Sequence, residues 1–310
     1  MSPQSVLSPM GPDAARIAET AAILAVGAAI VMTIVVAVLW LAMRGSPAVR
    51  RRLQADRFVA IAGVAFPVVT LTALLAYGLW TMQAVISPAD ASSAMRIEVV
   101  GEQWWWRVTY RDARGRSVAS ANEIRIPVGR DVLFELSSAD VIHSFWVPNL
   151  GGKVDMIPGR TTTLRFRSDR PGAYRGQCAE YCGGAHALMA LEIVTLPEEE
   201  FDAWLAAEAM GAALPATEVE RKGGQLFLAG GCGACHAIRG TPATSSVGPD
   251  LTHVGGRRFI AAATLPTTRE NFARFIVDGQ HLKPGNGMPP FRIFAPEEVD
   301  AIAAYLASLK

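Results

Sequence analysis

Cysteine is scarce in this sequence, with four in 310 residues, and histidine is hardly commoner, with five. So few cysteines exclude a disulfide-dense secreted scaffold. Charge is thin as well: Asp, Glu, Lys and Arg make up 18% of the chain, and the net charge is +1. A strongly basic chain is excluded, and no nucleic-acid motif is present. Charge is missing altogether from two long runs. Thr20 to Met43 gives 24 uncharged residues and Phe58 to Ala89 gives 32 more. A helix needs about 20 apolar residues to cross a bilayer, so each run can span once. The first is too long for the apolar region of a signal peptide, and Arg16 before it stands between Asp13 and Glu19.

Between the two runs lies "RGSPAVRRRLQADR", with Arg44, Arg50, Arg51, Arg52 and Arg57. The positive-inside rule assigns this loop to the cytoplasm. Both termini and everything after about residue 87 then lie outside, as a soluble head on a membrane helical hairpin. Residues 1–86 carry six positive and three negative charges, residues 87–215 thirteen and seventeen, and residues 216–310 ten and eight. The outer part thus divides into an acidic and a mildly basic region.

The acidic region reads as β. "MRIEVVGEQWWWRVTYRD", "EIRIPVG", "DVLFELSS", "TTTLRFRS" and "ALEIVTL" are short runs rich in Val, Ile, Leu and Thr, separated by turn residues. Several such runs over about 110 residues suggest a sandwich or barrel. The basic region reads as helical in "TEVERKGGQLFLAG", "TRENFARFIVDG" and "APEEVDAIAAYLASLK"; the last lines up Val299, Ile302, Ala303 and Leu306 on one face. The expected boundaries are a hairpin over 1–86, a β domain over 87–196, a short helix and small-residue linker over 197–215, and a helical domain over 216–310.

Two of the four cysteines fall in "CAEYCGGAHALM", residues 178–189. A structural disulfide would explain Cys178 and Cys182 but leave His186 and Met189 as coincidence. Zinc would call for a second ligand pair elsewhere. Soft thiolate and thioether donors with imidazole select copper, and a loop-borne Cys-His-Met set on a sandwich makes a copper site. A mononuclear blue site needs one thiolate, whereas two on one loop can bridge two coppers. Each copper then needs an imidazole. His186 supplies one, and His143 is the other histidine of the β region. Met189 would be a weak axial ligand, and the backbone carbonyl of Glu180 is placed to serve the second copper.

"DVIHSFWVPNLGGKVDMIPGR" together with "GQCAEYCGGAHALM" resembles subunit II of the haem-copper cytochrome c oxidases. The likeness runs from the hairpin to about residue 196. It implies an all-β cupredoxin sandwich and a dinuclear CuA centre held by His143, Cys178, Glu180, Cys182, His186 and Met189. It also implies a magnesium ion at the seam with subunit I, bound in part by the Glu180 carboxylate. "GEQWWWRVTY" resembles the family's electron-input patch, with Trp104 at the matching position, although adjacent tryptophans also serve strand packing. Quinol-oxidising relatives lack the copper ligands, and this sequence keeps them. One departure stands out: family members often carry a glutamate seven residues before a proline of the second span. Here the proline is Pro67 and the matching residue is Ala60.

The other two cysteines form "CGACH", the attachment signature of a c-type haem. Cys232 and Cys235 would bond the haem and His236 would bind its iron. Met288 in "GNGMPPF" is the only methionine after that motif and the expected sixth ligand, with His253 and His281 as alternatives. Methionine opposite histidine raises the potential. "GPDL", Gly248 to Leu251, resembles the loop of class I cytochromes c that packs near the proximal histidine, so an all-α cytochrome c domain is expected. His253 has the plainer reading of a structural hydrogen-bonding residue.

Together these features match the cytochrome-c-fused (caa-type) branch of the oxidases. The expectation is a bacterial cell-membrane subunit that takes electrons from an external donor, a cytochrome c or a membrane cytochrome complex. It would pass them through haem c and CuA to subunit I, with subunit III as a further partner. Oxygen would be reduced in subunit I, because this chain has no ligand set for that chemistry within a span. The same relay could feed a nitric oxide reductase. A thiol-exchange or copper-delivery factor would need a thioredoxin-like βαβ pattern, which is missing. Against a free-standing, merely anchored electron carrier stand "KVDMIPGR" and Glu180, through their resemblance to the family's subunit-seam site.

Overall fold

The computed structural model describes residues 4–86, 95–111 and 115–310. The expected boundary at 86/87 and residues 87–94 fall outside them. Two compact units emerge, one holding residues 15–86 and the other residues 4–14 and 95–310.

The helix α1 (Pro12–Arg44), which lies in the first unit from residue 15 on, has Asp13 in its first turn and ends on Arg44, which suits the helix dipole. The arginine-rich loop holds the short α2 (Pro47–Leu53), capped by the Ser46 hydroxyl accepting from the Val49 N–H. The second apolar run forms α3 (Asp56–Ala60), a π-helical turn (Ile61–Ala65) and α4 (Phe66–Ile86). The widened turn directly precedes Pro67. A proline ring clashes with the carbonyl four residues back, and a π turn makes room for it. Both long helices leave their apolar side chains exposed, as lipid-facing surfaces do.

The second unit opens with residues 4–14, which pack on the β sandwich. Met10 joins its core, donating its N–H to Asn149 O at 2.8 Å and accepting from the Asp169 N–H. The strands are β1 (Met95–Glu102), β2 (Trp105–Arg111), β3 (Ser117–Ala121), β4 (Glu123–Pro127), β5 (Val132–Ser138), β6 (His143–Trp146), β7 (Lys153–Met156), β8 (Thr162–Phe166), β9 (Gly172–Cys178) and β10 (Ala190–Leu196). They build two five-stranded sheets, ordered β3-β2-β1-β5-β8 and β4-β10-β9-β6-β7. Pairing is parallel for β1–β5 and β4–β10 and antiparallel elsewhere. This is the expected cupredoxin-like sandwich. Period-2 alternation sends Ile97 and Val99, Trp106, Val108 and Tyr110, and Val132, Phe134 and Leu136 inward. Trp106 meets Phe145 edge-on, with centroids 5.6 Å apart. Of the three adjacent tryptophans, alternation along β2 buries Trp106 and turns Trp105 outward, while Trp104, which precedes the strand, is half-exposed.

The helix expected in the linker is α5 (Glu198–Glu208), and it belongs to the sandwich. Phe201 is buried in the sandwich core, and Trp204 packs edge-on against Tyr110. The helical domain follows with α6 (Glu218–Ala229), a two-residue ribbon of β11 (Phe259–Ile260) and β12 (Leu265–Pro266), α7 (Arg269–Leu282) and α8 (Pro296–Ser308). Thr217 and Glu220 form a capping box at the start of α6. Gly223 lets α6 approach α8 closely, because a Cβ there would lie 2.0 Å from Ala301 O. Ile302, Tyr305 and Leu306 pack against Phe227 in the second core.

Candidate copper and haem sites

β6 begins on His143, β9 ends on Cys178, and a short loop returns through Cys182 and a 3₁₀ turn (His186–Leu188) to β10. Antiparallel pairing sets Cys178 opposite Phe145, so the end of β9 lies beside the start of β6. Residues 35 positions apart are thereby brought together. Cys178 Sγ lies 3.7 Å from Cys182 Sγ, 3.8 Å from His143 Nδ1 and 3.2 Å from Glu180 O. Cys182 Sγ lies 3.5 Å from His186 Nδ1 and 3.8 Å from Met189 Sδ. All six candidate donors thus gather around two sulfurs that stand too far apart for a disulfide bond. Each sulfur has its own imidazole and one weaker donor, the Glu180 carbonyl or the Met189 thioether.

Electrostatics favours a cation there. Burial raises Cys178, but hydrogen bonds from His143 and from backbone around Glu180 and Ser144 outweigh it and hold this thiol below its ordinary range. Burial and the neighbouring Cys178 charge push Cys182 up to about 12. A second thiolate beside the first therefore needs positive charge at the sulfurs, which soft metal ions supply. Asp140 completes the site and was not anticipated from sequence. Its Oδ1 lies 2.7 Å from His143 Nε2, which turns Nδ1 toward the sulfurs. An acid three residues before a candidate ligand histidine is a signal that could have been read.

Trp104 sits against the same loop, its indole N–H donating to Cys182 O at 3.0 Å. The segment "KVDMIPGR" includes β7 beside His143, and Lys153 Nζ donates to Ala179 O at 3.4 Å.

In the helical domain, Cys232 opens a 3₁₀ turn (Cys232–Ala234) shortly after α6, Cys235 closes it, and both thiols are free. His236 follows, with Nδ1 2.8 Å from Pro249 O, which leaves Nε2 for a metal. The "GPDL" loop presses on that ring: a Cβ on Gly248 would come within 2.8 Å of it. Burial lowers His236, and the nearby Arg257 charge adds to the effect. Arg257 is itself buried, and its Nε has no hydrogen-bond partner among the described residues. An unsatisfied buried guanidinium N–H beside this histidine fits an anionic group such as a haem propionate. Met288 is half-buried against the domain core, with its N–H bonded to Asn286 and its carbonyl to Gln280. Of the alternative ligands, His253 Nε2 lies 3.2 Å from Met210 O, and His281 is exposed.

Sandwich and helical domain meet over a polar seam. The Arg258 N–H donates to Glu123 at 2.7 Å, and its guanidinium pairs with Glu192 at 3.2 Å. Arg125 reaches Gly256 O, Arg107 reaches Ser246 O and Arg239 reaches Ala119 O. A cavity of about 330 Å³ opens on this seam, lined by Glu123, Arg125, Trp204, His253 and Arg257 among others. Of the candidate ligands only His253, the alternative to Met288, lines it; Cys178, Cys182, His143, His186, Met189, Cys232, Cys235, His236 and Met288 do not.

Two families match the chain. The one described as "Cytochrome C oxidase subunit II, periplasmic domain" matches residues 111–196, and "Cytochrome c" matches residues 220–310. A relative named cytochrome c oxidase subunit 2, from Alkalihalophilus pseudofirmus, is 33% identical over 99% of this chain and 91% of its own. The chain belongs to the cytochrome c oxidase subunit 2 family. The subunit 2 of Bacillus sp. PS3 is 30% identical over 77% of this chain and 69% of its own. The periplasmic domain of the Bradyrhizobium japonicum subunit II is 31% identical. It covers 40% of this chain and 96% of its own, with a TM-score of 0.37. Membership makes this chain a membrane subunit of a haem-copper oxidase, an oxidoreductase assembled with further oxidase subunits. Its two matched domains imply copper and haem c.

Proposed function

We propose that this chain is the electron-input subunit of a haem-copper terminal oxidase. In it, electrons from an external donor pass from a covalent haem c to a dinuclear CuA centre and on to the haem of subunit I, where oxygen is reduced to water. The observation that carries the proposal is the gathering of His143, Cys178, Glu180 O, Cys182, His186 and Met189 around two sulfurs 3.7 Å apart. Cys178, Cys182, His143 and His186 would hold the copper. Met189 and the Glu180 carbonyl would be the weak outer ligands. Cys232, Cys235, His236 and Met288 would hold the haem. Both groups supply one-electron storage at little reorganisation. The protein's part is to exclude water and fix the ligands, which burial of Cys178, Cys182, Met189 and His143 does.

The Glu180 carboxylate would help bind magnesium at the subunit I seam. Subunit III is a further partner, and Trp104 is the candidate electron-input residue. The proposed location is a bacterial cell membrane crossed twice, with both termini and the head outside. The packing of residues 4–14 on the sandwich supports this, because a chain that returns to its starting side crosses an even number of times.

The test is EPR with copper and haem quantified on the oxidised full chain, followed by gas-consumption assays on the assembled complex. Two coppers sharing one unpaired electron, with one haem per chain, give a seven-line copper pattern. A four-line pattern sinks the dinuclear centre. Consumption of nitric oxide in place of oxygen would assign the chain to a nitric oxide reductase.

A further inference from the structure

Ala261, Ala262 and Ala263 hold φ values of 54°, 59° and 56°, three consecutive non-glycine residues in the left-handed region. Such a run is sterically unfavourable for L-residues and persists only where surrounding contacts impose it. Here two carbonyls of the turn, which belongs to the helical domain, accept from the sandwich, and the third accepts from Lys283 of the turn's own domain. Ala262 O accepts from the Ala190 N–H at 3.2 Å, and Ala190 directly follows Met189. Ala263 O accepts from Arg175 at 2.8 Å. Ala261 O accepts from Lys283 Nζ at 3.1 Å.

Lys283 is 3% exposed and has no carboxylate partner among the described residues. Its ammonium instead donates to Trp104 O at 2.6 Å, Leu188 O at 2.9 Å and Ala261 O. Burial pushes its pKa down to about 7, against which three carbonyls, one for each N–H, are what a buried cation needs to stay charged. Two of those carbonyls belong to the sandwich, one on Trp104 and one within the His186–Met189 turn. Gly285, two residues on with φ +80°, lies over the Trp104 ring: a Cβ there would stand 3.1 Å from the indole. The loop that lies against Trp104 runs on to Met288.

We propose that Lys283 and the left-handed turn Ala261–Ala263 form a clasp that fixes the chain's own cytochrome domain on the copper-binding loop. The clasp lays the Gly285 loop against the half-exposed Trp104, so that this surface receives electrons from the attached domain in preference to a separate carrier protein. Lys283 is a positioning residue: it touches neither proposed cofactor and acts through Trp104 and the 186–189 turn. The inference deepens the proposed function, and its function-related part rests on that reading. A tether alone would raise the local concentration of the cytochrome domain; a clasp makes its pose permanent.

The experiment follows site-resolved amide hydrogen exchange at Ala190 in the full chain, wild type and Lys283→Met. It is joined by the viscosity dependence of haem-to-copper electron transfer and by EPR on the same samples. A clasped domain keeps the Ala190 amide protected in the wild type and makes the transfer rate independent of viscosity. Lys283→Met then exchanges at Ala190 at least 10-fold faster and becomes viscosity-dependent while retaining its copper signal. An unprotected Ala190, or a viscosity-dependent rate, in the wild type overturns the clasp without any variant. So does a folded Lys283→Met whose Ala190 exchange is unchanged. Loss of the two-copper signal in the wild type, with Ala190 protected, would instead remove the electron-transfer reading and leave the docking intact.

Discussion

Trp104 and Gln103 both donate to one oxygen, the carbonyl of Cys182, at 3.0 and 2.7 Å. The carbonyl of one thiol-bearing residue is therefore fastened to the β1–β2 turn by side chains from a distant part of the sequence. The protein's own hydrogen bonds thus prearrange this loop. That preorganisation is what an electron-transfer site needs, because ligands that move when charge changes slow the transfer.

If both thiols share two coppers, removing one leaves a different centre. Cys182→Ser is expected to bind at most one copper and to replace the seven-line spectrum with a four-line one. The fold should persist, because serine keeps the size and shape of the side chain that Cys182 contributes to the sandwich core. Metal analysis, EPR and circular dichroism on the same sample check this.

Asp140 sets which nitrogen His143 offers. Burial raises this carboxyl, but hydrogen bonds from His143, the Gln103 N–H and the Val141 N–H outweigh it and hold the group below the usual carboxylate range. Asp140→Asn keeps the shape and loses the charge. Copper retention against a chelator is expected to fall about 10-fold, the lower end for loss of such an orienting partner. Unchanged retention would show that packing alone orients the ring.

Met288 is tested by potential rather than by presence. Methionine opposite histidine raises a haem potential, so Met288→His should lower the midpoint in a redox titration while leaving the covalently attached haem in place. A midpoint unmoved by the substitution would assign the sixth position to another residue.

Gly248 approaches the His236 ring closely, and Gly248→Ala introduces a Cβ 2.8 Å from it. Overpacking of this kind destabilises by about 1–3 kcal/mol. The effect should appear as a lower denaturation midpoint for the helical domain and a perturbed haem spectrum, with the copper spectrum unchanged.

The seam should respond to pH through Glu192. Burial raises its pKa, Arg258 lowers it, Glu123 across the β4–β10 pairing raises it and Arg175 lowers it; the balance leaves it above the ordinary 4.5. The folded protein thus holds this proton more tightly than the unfolded chain. The contribution to stability is complete below pH 4.5 and is lost as pH rises through the folded value. Glu192→Gln cannot ionise, so Tm should fall less between acid and neutral pH than in the wild type.

Sequence alone determined the two apolar spans, the β-then-α order of the outer part, and the residue types at both ligand sets. Each is a local signal: length without charge, alternation, a cysteine-histidine spacing. His143 was reachable as well, because only two histidines lie in the β region. The tertiary structure decided the rest. It set Cys178 beside His143 through the pairing of β9 with β6, and it supplied Asp140 as the orienting carboxylate. It made α5 part of the sandwich through Phe201 and Trp204 and carried residues 4–14 onto the head. It also joined the sandwich and the helical domain into one unit, with Lys283 answering three carbonyls from three separate segments. Hydrogen bonds to backbone oxygens leave no mark in composition or spacing, since every residue carries that acceptor. Only the fold determines which of them a buried ammonium will meet.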